Sequence, residues 1–381
     1  MRLVRFLRLV YPLRLLLFLA ILGCSSKAAP DPIWIGHLLP LPEDNRILAQ
    51  HARQGVELAV AEAQDAAQTI AGRSYAVLSV ESSNESTAVQ ATTTRLLTAN
   101  YTVALLANFD ASQTERLIRT SQVYGVPVVV PGELPHPTHL DTVVSLGVPP
   151  AVRGQMLARY ASTELKCSRV AILTDNRLPI ATAFANAFLM AWPNRRNRTS
   201  EEWTFTTPAQ RDEHVNHIIQ AAPAVVVLAC SVADFRLLLP RLAAALPNVP
   251  LIYGGEDAGT TALRTELETH SEVYLATAYS PDHLSDRGRA FARHYEERYH
   301  EVPDLYAAQS YDAARLLLEA LQRVGKASRD ALGTELAHLE QFDSITGPIF
   351  WKGRQPHRRV FLIALKNNQA NVIASIDAEA N

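Results

Sequence analysis

The sequence predicts an α/β protein made of two doubly wound, parallel-sheet lobes. Three observations carry this expectation. Short apolar runs bounded by turn residues alternate with helical patterns of about 15 residues, the sequence form of βαβ units. That series is run through twice, with a break near residue 147. Of 381 residues, 358 remain once the first 23 are set aside as a leader, which is more than one ordinary core accommodates and suits two.

The first strand is 33–39, followed by a helix at 46–66 whose Leu48, Ala52, Val56, Ala59 and Val60 share one face at helical spacing. A strand at 75–80, a helix at 87–98, a strand at 103–106, a helix at 112–124 and a strand at 126–130 complete the first series. The second opens with the segment 153–165, then strand 169–173, helix 181–191, strand 203–206 and helix 210–221. Strand 224–229, helix 233–246, strand 250–253, helix 260–269 and strand 273–277 follow in the same alternation. Long helices at 287–299 and 306–325 come next, and in the latter Ala313, Leu316, Leu317, Ala320 and Leu321 are spaced to cover a sheet. Segments 359–365 and 371–376 alternate as a terminal hairpin pair. In a doubly wound sheet a ligand sits outside the carboxyl ends of the strands, at helix N-termini where free N–H groups favour anions. Two such lobes facing each other make a cleft.

Residues 1–25 read MRLVRFLRLVYPLRLLLFLAILGCS. Arg2, Arg5, Arg8 and Arg14 hold the N-terminus at the cytoplasmic face, and the apolar run 15–22 is too short to stay as a spanning helix. Small Gly23 then admits a peptidase, so the segment predicts export. Ile21-Leu22-Gly23-Cys24 resembles a lipobox, in which the cysteine is lipidated and becomes the new first residue. The alternative is an ordinary secretory signal cut nearby, and it exports the chain as well. On the lipobox reading 1–23 is the signal peptide, and 24–32 is the lipid anchor and tether.

The other two cysteines do not suit a disulfide. Cys167 lies just before the strand 169–173, while Cys230 closes the run 224–229. On neighbouring parallel strands the thiols stand at opposite ends, roughly 20 Å apart at about 3.3 Å per residue. The net charge of −2 provides no field for nucleic acid or anionic lipid, and the composition of 48% apolar and 19% charged residues is that of an ordinary globular protein. The basic clusters at 195–198 and 357–359 stand beside the turn-forming Pro193 and Pro356, and they read as solvated loops.

At the far end, Ala307-Ala308-Gln309-Ser310-Tyr311-Asp312-Ala313-Ala314 is preceded by Tyr295-Glu296-Glu297-Arg298-Tyr299 and by Val302-Pro303. Ile35-Gly36 with Pro40-Leu41, Gly55 with Leu58-Ala59, and Tyr124-Gly125-Val126-Pro127 stand in a matching order. In order and spacing these segments resemble type I periplasmic binding proteins, and most of all the leucine/isoleucine/valine-binding family of ABC-importer receptors. The resemblance covers nearly all of the mature chain. It implies three crossovers between lobes, near 147–152, 277–281 and 344–349. Lobe 1 is then 33–148 plus 279–346, and lobe 2 is 149–278 plus 347–381.

The cleft needs a reader for each end of a zwitterion. Asn108, Phe109, Ser112 and Thr114 lie in the strand-to-helix loop where the family uses a Ser/Thr-rich segment to hold a carboxylate with hydroxyl and backbone N–H groups. Ser112 or Asp110 also suits a helix cap, a role compatible with ligand contact. Glu256, with Asp257 beside it, matches the family's acidic residue after a short Gly turn, which pairs with the ligand's amine; its other reading is an exposed acid opening a helix. Two segments depart from the family pattern. Relatives carry a small residue and Thr after the strand-ending proline, whereas this chain has Pro131-Gly132-Glu133-Leu134. Relatives often place an aromatic after the first strand of lobe 2, whereas here Thr174-Asp175-Asn176-Arg177 brings an acid and an arginine. Gly132, Glu133 and Asn176 therefore join the candidate site, while Phe109 and Tyr279 serve either as its apolar wall or as core.

No enzyme motif stands at a recognisable spacing: GxSxG, HExxH, CxxC and GxGxxG are all missing, and His214 and His217 have no evident third metal ligand. The sequence therefore predicts neither catalysis nor a metal or other cofactor. The leader with its lipobox and the family resemblance together imply an exported, lipid-anchored monomer that closes on a small polar ligand, an amino acid or similar, and delivers it to an ABC-transporter permease. The alternative is the same fold acting as a ligand sensor or as a regulatory scaffold of the cell envelope.

Overall fold

The computed structural model describes residues 30–83, 85–99, 101–109, 111–136, 140–193, 199–256, 272–366 and 369–377. Cys24 and the helix expected at 260–269 lie outside these residues. β1 (Ile33–Pro40), β2 (Tyr75–Ser82), β3 (Ala104–Ala107), β4 (Val128–Val130) and β5 (Val143–Ser145) form an all-parallel sheet in the order β2-β1-β3-β4-β5. Its crossover helices are α1 (Pro42–Asp65), α2 (Ser86–Ala99) and α3 (Ala111–Val123). The chain then crosses to a second sheet, beginning with α4 (Pro150–Thr163). There β6 (Arg169–Asp175), β7 (Thr199–Phe205), β8 (Val225–Ala229), β9 (Leu251–Tyr253) and β10 (Val273–Thr277) run parallel in the order β7-β6-β8-β9-β10. Helices α5 (Pro179–Ala191), α6 (Pro208–Ala221) and α7 (Val232–Ala245) lie between these strands in sequence.

After β10 the chain returns to the first lobe with α8 (Asp286–Tyr299), α9 (Leu305–Val324) and α10 (Arg329–Ala337), of which α8 and α9 pack on α1 and α10 on β5. A small antiparallel meander follows, made of β11 (Gln341–Ser344), β12 (Gly347–Lys352) and β13 (Gln355–His357). Finally β14 (Val360–Lys366) and β15 (Gln369–Ile376) add to β10 as two antiparallel strands. The arrangement is the two-lobe α/β fold that the alternation predicted.

Strand parity sorts the core. Ile33 and Ile35 of β1 and Val170 and Ile172 of β6 belong to the largest apolar cluster, with α1, α9, α4 and α5. Leu38 of β1 faces α2 and α3, and Ala171 and Leu173 of β6 face α6 and α7. Every parallel strand except β7 and β2 is therefore covered on both faces, and this is why the sequence reads as continuous apolar runs. Both cysteines are buried thiols, one before β6 and one after β8, on adjacent strands. No helix among the described residues is long and apolar enough to cross a membrane.

Some elements escaped the sequence reading. β5 has only three residues, α10 only nine, and the meander strands at most six, too short for a period to stand out. At α1 the expected start is sound even though the helical segment formally begins earlier. Asn45 is extended at φ −159° and its Oδ1 accepts the Leu48 amide at 3.2 Å, an N-cap that starts the regular helix at Arg46.

Gly55 shows how closely α1 meets α9. A Cβ there would stand 2.2 Å from the Ala307 carbonyl oxygen and 3.1 Å from the Tyr311 amide nitrogen, both rigid backbone atoms. Gly55→Val is expected to force the helices apart and to lower unfolding stability by about 1–3 kcal/mol or more, as overpacking does. Urea denaturation at constant pH checks it, and an unchanged midpoint would contradict the close approach.

Candidate functional site

The carboxyl ends of the parallel strands in the two sheets bring together acids from opposite lobes. Glu133 follows β4 of the first sheet, and Glu256 follows β9 of the second. The guanidinium of Arg153 lies between them. It comes from the first turn of α4, where the helix dipole disfavours a cation, and its side chain is fully buried. Arg153 pairs with Glu133 through Nη2, donates from Nη1 to the Gly254 carbonyl at 2.8 Å, and places Nε 3.7 Å from Glu256 Oε1. Two carboxylates around one guanidinium offset the cost of burying that charge at a helix N-terminus.

Glu256 is itself 8% exposed and fully engaged. Its Oε1 accepts the Val148 amide at 3.2 Å, and its Oε2 accepts from Gln309 Nε2 of α9 at 3.3 Å. Burial pushes its carboxyl above the usual range, while Arg153 and Arg358, with backbone hydrogen bonds from Val148 and Ala278, oppose that rise. Gly147 is what allows the Glu133 loop to come this close. A Cβ on it would lie 2.4 Å from the Glu133 amide nitrogen, and its own amide donates to the Gly132 carbonyl at 2.9 Å.

A second buried cation continues the network toward the meander. Arg358 donates from Nη1 to Leu146 O and from Nη2 to Thr346 Oγ1, both at 2.7 Å, and burial pushes its guanidinium down while Asp312 and Glu256 hold it up. Asp312 of α9 accepts from Arg315 at 3.1 Å and from the Ile345 amide at 3.2 Å. Burial raises its carboxyl to about 6, against the pull of Arg315 and Arg358.

The expected carboxylate-binding loop has its own internal partners. Asn108 accepts from His37 Nε2 at 2.9 Å and donates to Ser310 Oγ at 3.0 Å, and His37 Nδ1 meets Ser79 Oγ at 3.1 Å. Thr114 Oγ1 donates to the Phe109 carbonyl at 3.2 Å, and Phe109 packs half-buried on the first-lobe core. Ser112 belongs to α3, but its side chain lies outside the described residues, as does Asp257. On the second lobe, Asp175 is taken up by Arg177 in a two-pronged pair at 2.9 and 2.7 Å, and Asn176 is exposed beside it with its amide on Phe205 O. Tyr279 is buried after β10 and donates to the Pro303 carbonyl at 3.2 Å. The structure thus brings Gly132, Glu133 and Glu256 together and keeps Asn108 close to them through Ser310 and Gln309, neighbours on α9. Asn176 and Tyr279 have partners elsewhere. The sequence reading missed Arg153 and Gln309, and its solvated loop at 357–359 is wrong for Arg358, which is 7% exposed. Gln309 stood inside the most specific motif, but Arg153 carried no local signal beyond being a cation after two prolines.

His37 offers a test of this polar chain. Burial pushes its imidazole from 6.5 down to about 4, with the Asn108 hydrogen bond opposing and Arg53 reinforcing the fall. The unfolded chain takes up a proton below pH 6.5 while the folded one resists until about 4. The group's contribution is thus complete above pH 6.5 and lost as pH falls toward 4, at most about 3 kcal/mol. His37→Gln should lose less stability than wild type between pH 7 and pH 4, by an amount of that order, in denaturant titrations at both pH values. Equal losses would show that His37 is not held neutral.

The geometry has relatives. A leucine-binding protein from Thermotoga maritima superposes with a TM-score of 0.79 at 18% identity, over 91% of this chain and 99% of that one. A branched-chain amino acid transporter substrate-binding protein from Streptococcus pneumoniae, solved with isoleucine, gives 0.80 at 18% identity over 91% and 99%. A solute-binding protein of an ABC transporter from R. palustris, solved with benzoate, gives 0.75 at 18% identity over 92% and 98%. A comparison with functionally curated proteins returns no match. The sequence profile described as "Periplasmic binding protein" matches residues 32–370, nearly the whole of the described fold, and the chain belongs to that family.

Proposed function

We propose that the chain is an exported, lipid-anchored solute-binding receptor. It closes two lobes on a small polar ligand and presents it to the permease of an ABC importer. The observation that carries this reading is the meeting of Glu133, Arg153, Glu256 and Gln309 from both lobes at the carboxyl ends of their strands, the ligand position of doubly wound sheets. Hinge closure between such lobes makes binding and shape change one event. Residues 33–148 with 279–346, and 149–278 with 347–381, are taken as the two moving bodies, and Cys24 as the lipid attachment. The receptor acts as a monomer, held to the membrane by that lipid.

Amino acids and their close analogues are the first solutes to try, because two similar folds carry leucine-type names and an isoleucine ligand, while a third holds benzoate. One observation favours a second reading, that of a sensor or scaffold: Glu133 and Arg153 already join the lobes through the chain's own charges.

Solute at 100 times its dissociation constant should add about 2.7 kcal/mol to the mature domain. For a chain of this length that is about 3–5 °C in Tm, and the radius of gyration in solution scattering should shrink at the same time. A panel of amino acids, amides and carboxylates that gives neither change would favour the scaffold. Intact mass of the membrane-extracted protein should show acyl chains on Cys24, and an unmodified mature N-terminus would remove the anchor.

A further inference from the structure

Arg153 decides what the cleft can hold. Its guanidinium stands where a cation bound between the acids of the two lobes would have to stand, with Glu133 on one side and Glu256 on the other. Arginine stays charged at every physiological pH, so it cannot step aside by losing its proton. It is also held by the Gly254 carbonyl at 2.8 Å and by complete burial. An ammonium reaching Glu256 must therefore expel a buried guanidinium from its partners, or share the site with a like charge.

Both oxygens of Glu256 already accept hydrogen bonds, Oε1 from the Val148 amide and Oε2 from Gln309. Donors, by contrast, are in surplus. Among the described residues, Nε of Arg153 and Nε of Arg358 are buried without an acceptor in hydrogen-bond geometry. A site with its own cation, engaged acids and spare N–H groups wants acceptor atoms and not another donor.

We infer that Arg153 is a specificity-determining residue that substitutes for the cationic end of a solute, so that the cleft selects amine-free carboxylates over α-amino acids and other amines. This rests on the solute-receptor reading above and narrows its ligand class.

The test uses pairs of probes that differ only in the amine: leucine with 4-methylpentanoate, and phenylalanine with 3-phenylpropanoate. Each is titrated calorimetrically and by thermal shift into wild type and into the double variant Arg153→Gln/Glu133→Gln. The double change removes both partners of a charge pair, which avoids leaving one buried acid alone, and keeps Glu256 for an ammonium. In wild type the amine-free member of at least one pair should bind, at least tenfold more tightly than its amino acid. In the double variant that preference should fall at least tenfold or reverse. The wild-type comparison needs no variant and stands if the variant does not fold.

Wild-type binding of the amino acid as tight as that of its amine-free partner overturns the inference and leaves the receptor reading intact. A preference that stays unchanged in the folded double variant overturns the role of Arg153. Binding of neither amine-free probe by the folded wild type overturns the inference, while the receptor reading is decided separately by the broader solute panel.

Discussion

Gln309, Ser310, Tyr311 and Asp312 are four consecutive polar residues in a helix, and all four are at most 7% exposed. Consecutive helical residues point in four directions about 100° apart, so no single neighbour can satisfy them. A buried polar group without a partner costs about 1–3 kcal/mol, so each direction has to supply one. Gln309 reaches Glu256 of the second lobe, Ser310 receives Asn108 from the β3 loop, Tyr311 meets Glu62 of α1 at 2.5 Å, and Asp312 accepts the Ile345 amide in the turn between β11 and β12. One helical turn thereby fixes the positions of the other lobe, the candidate binding loop, the longest packed helix and the return crossover. The α9 segment is better described as the junction of the molecule than as one covering helix among many.

Charge in this junction follows the same logic. Three arginines (Arg153, Arg315 and Arg358) lie buried within reach of Glu133, Glu256 and Asp312. Buried ion pairs contribute little net stability against apolar residues of equal size, but removing one member leaves the other uncompensated. The arrangement therefore buys register more than strength: each lobe carries charges whose partners lie on the other, and a misplaced packing of the lobes would strand them. Carboxylates on both sides of Arg153 also explain how a cation can occupy the first turn of α4 against the dipole.

The α/β alternation, most strand positions and the two thiol positions were legible because they depend on local period and on apolar runs. So was the importance of the 307–314 motif, although its physical role was not, since satisfaction of buried polar groups is a long-range property. Glu256 was found by its place after β9, and Glu133 by its oddness after a proline. Their common partner was invisible: Arg153 is 20 residues from one and more than 100 from the other, and no spacing rule links them. Similarly, the pair Asp175 and Arg177 was visible as charges near the cleft, but only the geometry shows that each neutralises the other.

The order of strands in the second sheet has a further consequence, for the time course of folding. β10 is completely buried, and on its free side it is covered only by β14, nearly 90 residues later in the chain. During synthesis the chain emerges amino end first, so β10 waits with an open apolar edge while three helices and the meander pass. Such distant pairings are slow, and an open edge is the place where strands of different chains join. The first sheet, whose five strands are complete by Ser145, has no such wait. The first sheet can therefore form early, with α9 covering it later, whereas the second is sealed only by β14 and β15. Proteins cut short before Val360 would carry a finished first sheet and an adhesive second one.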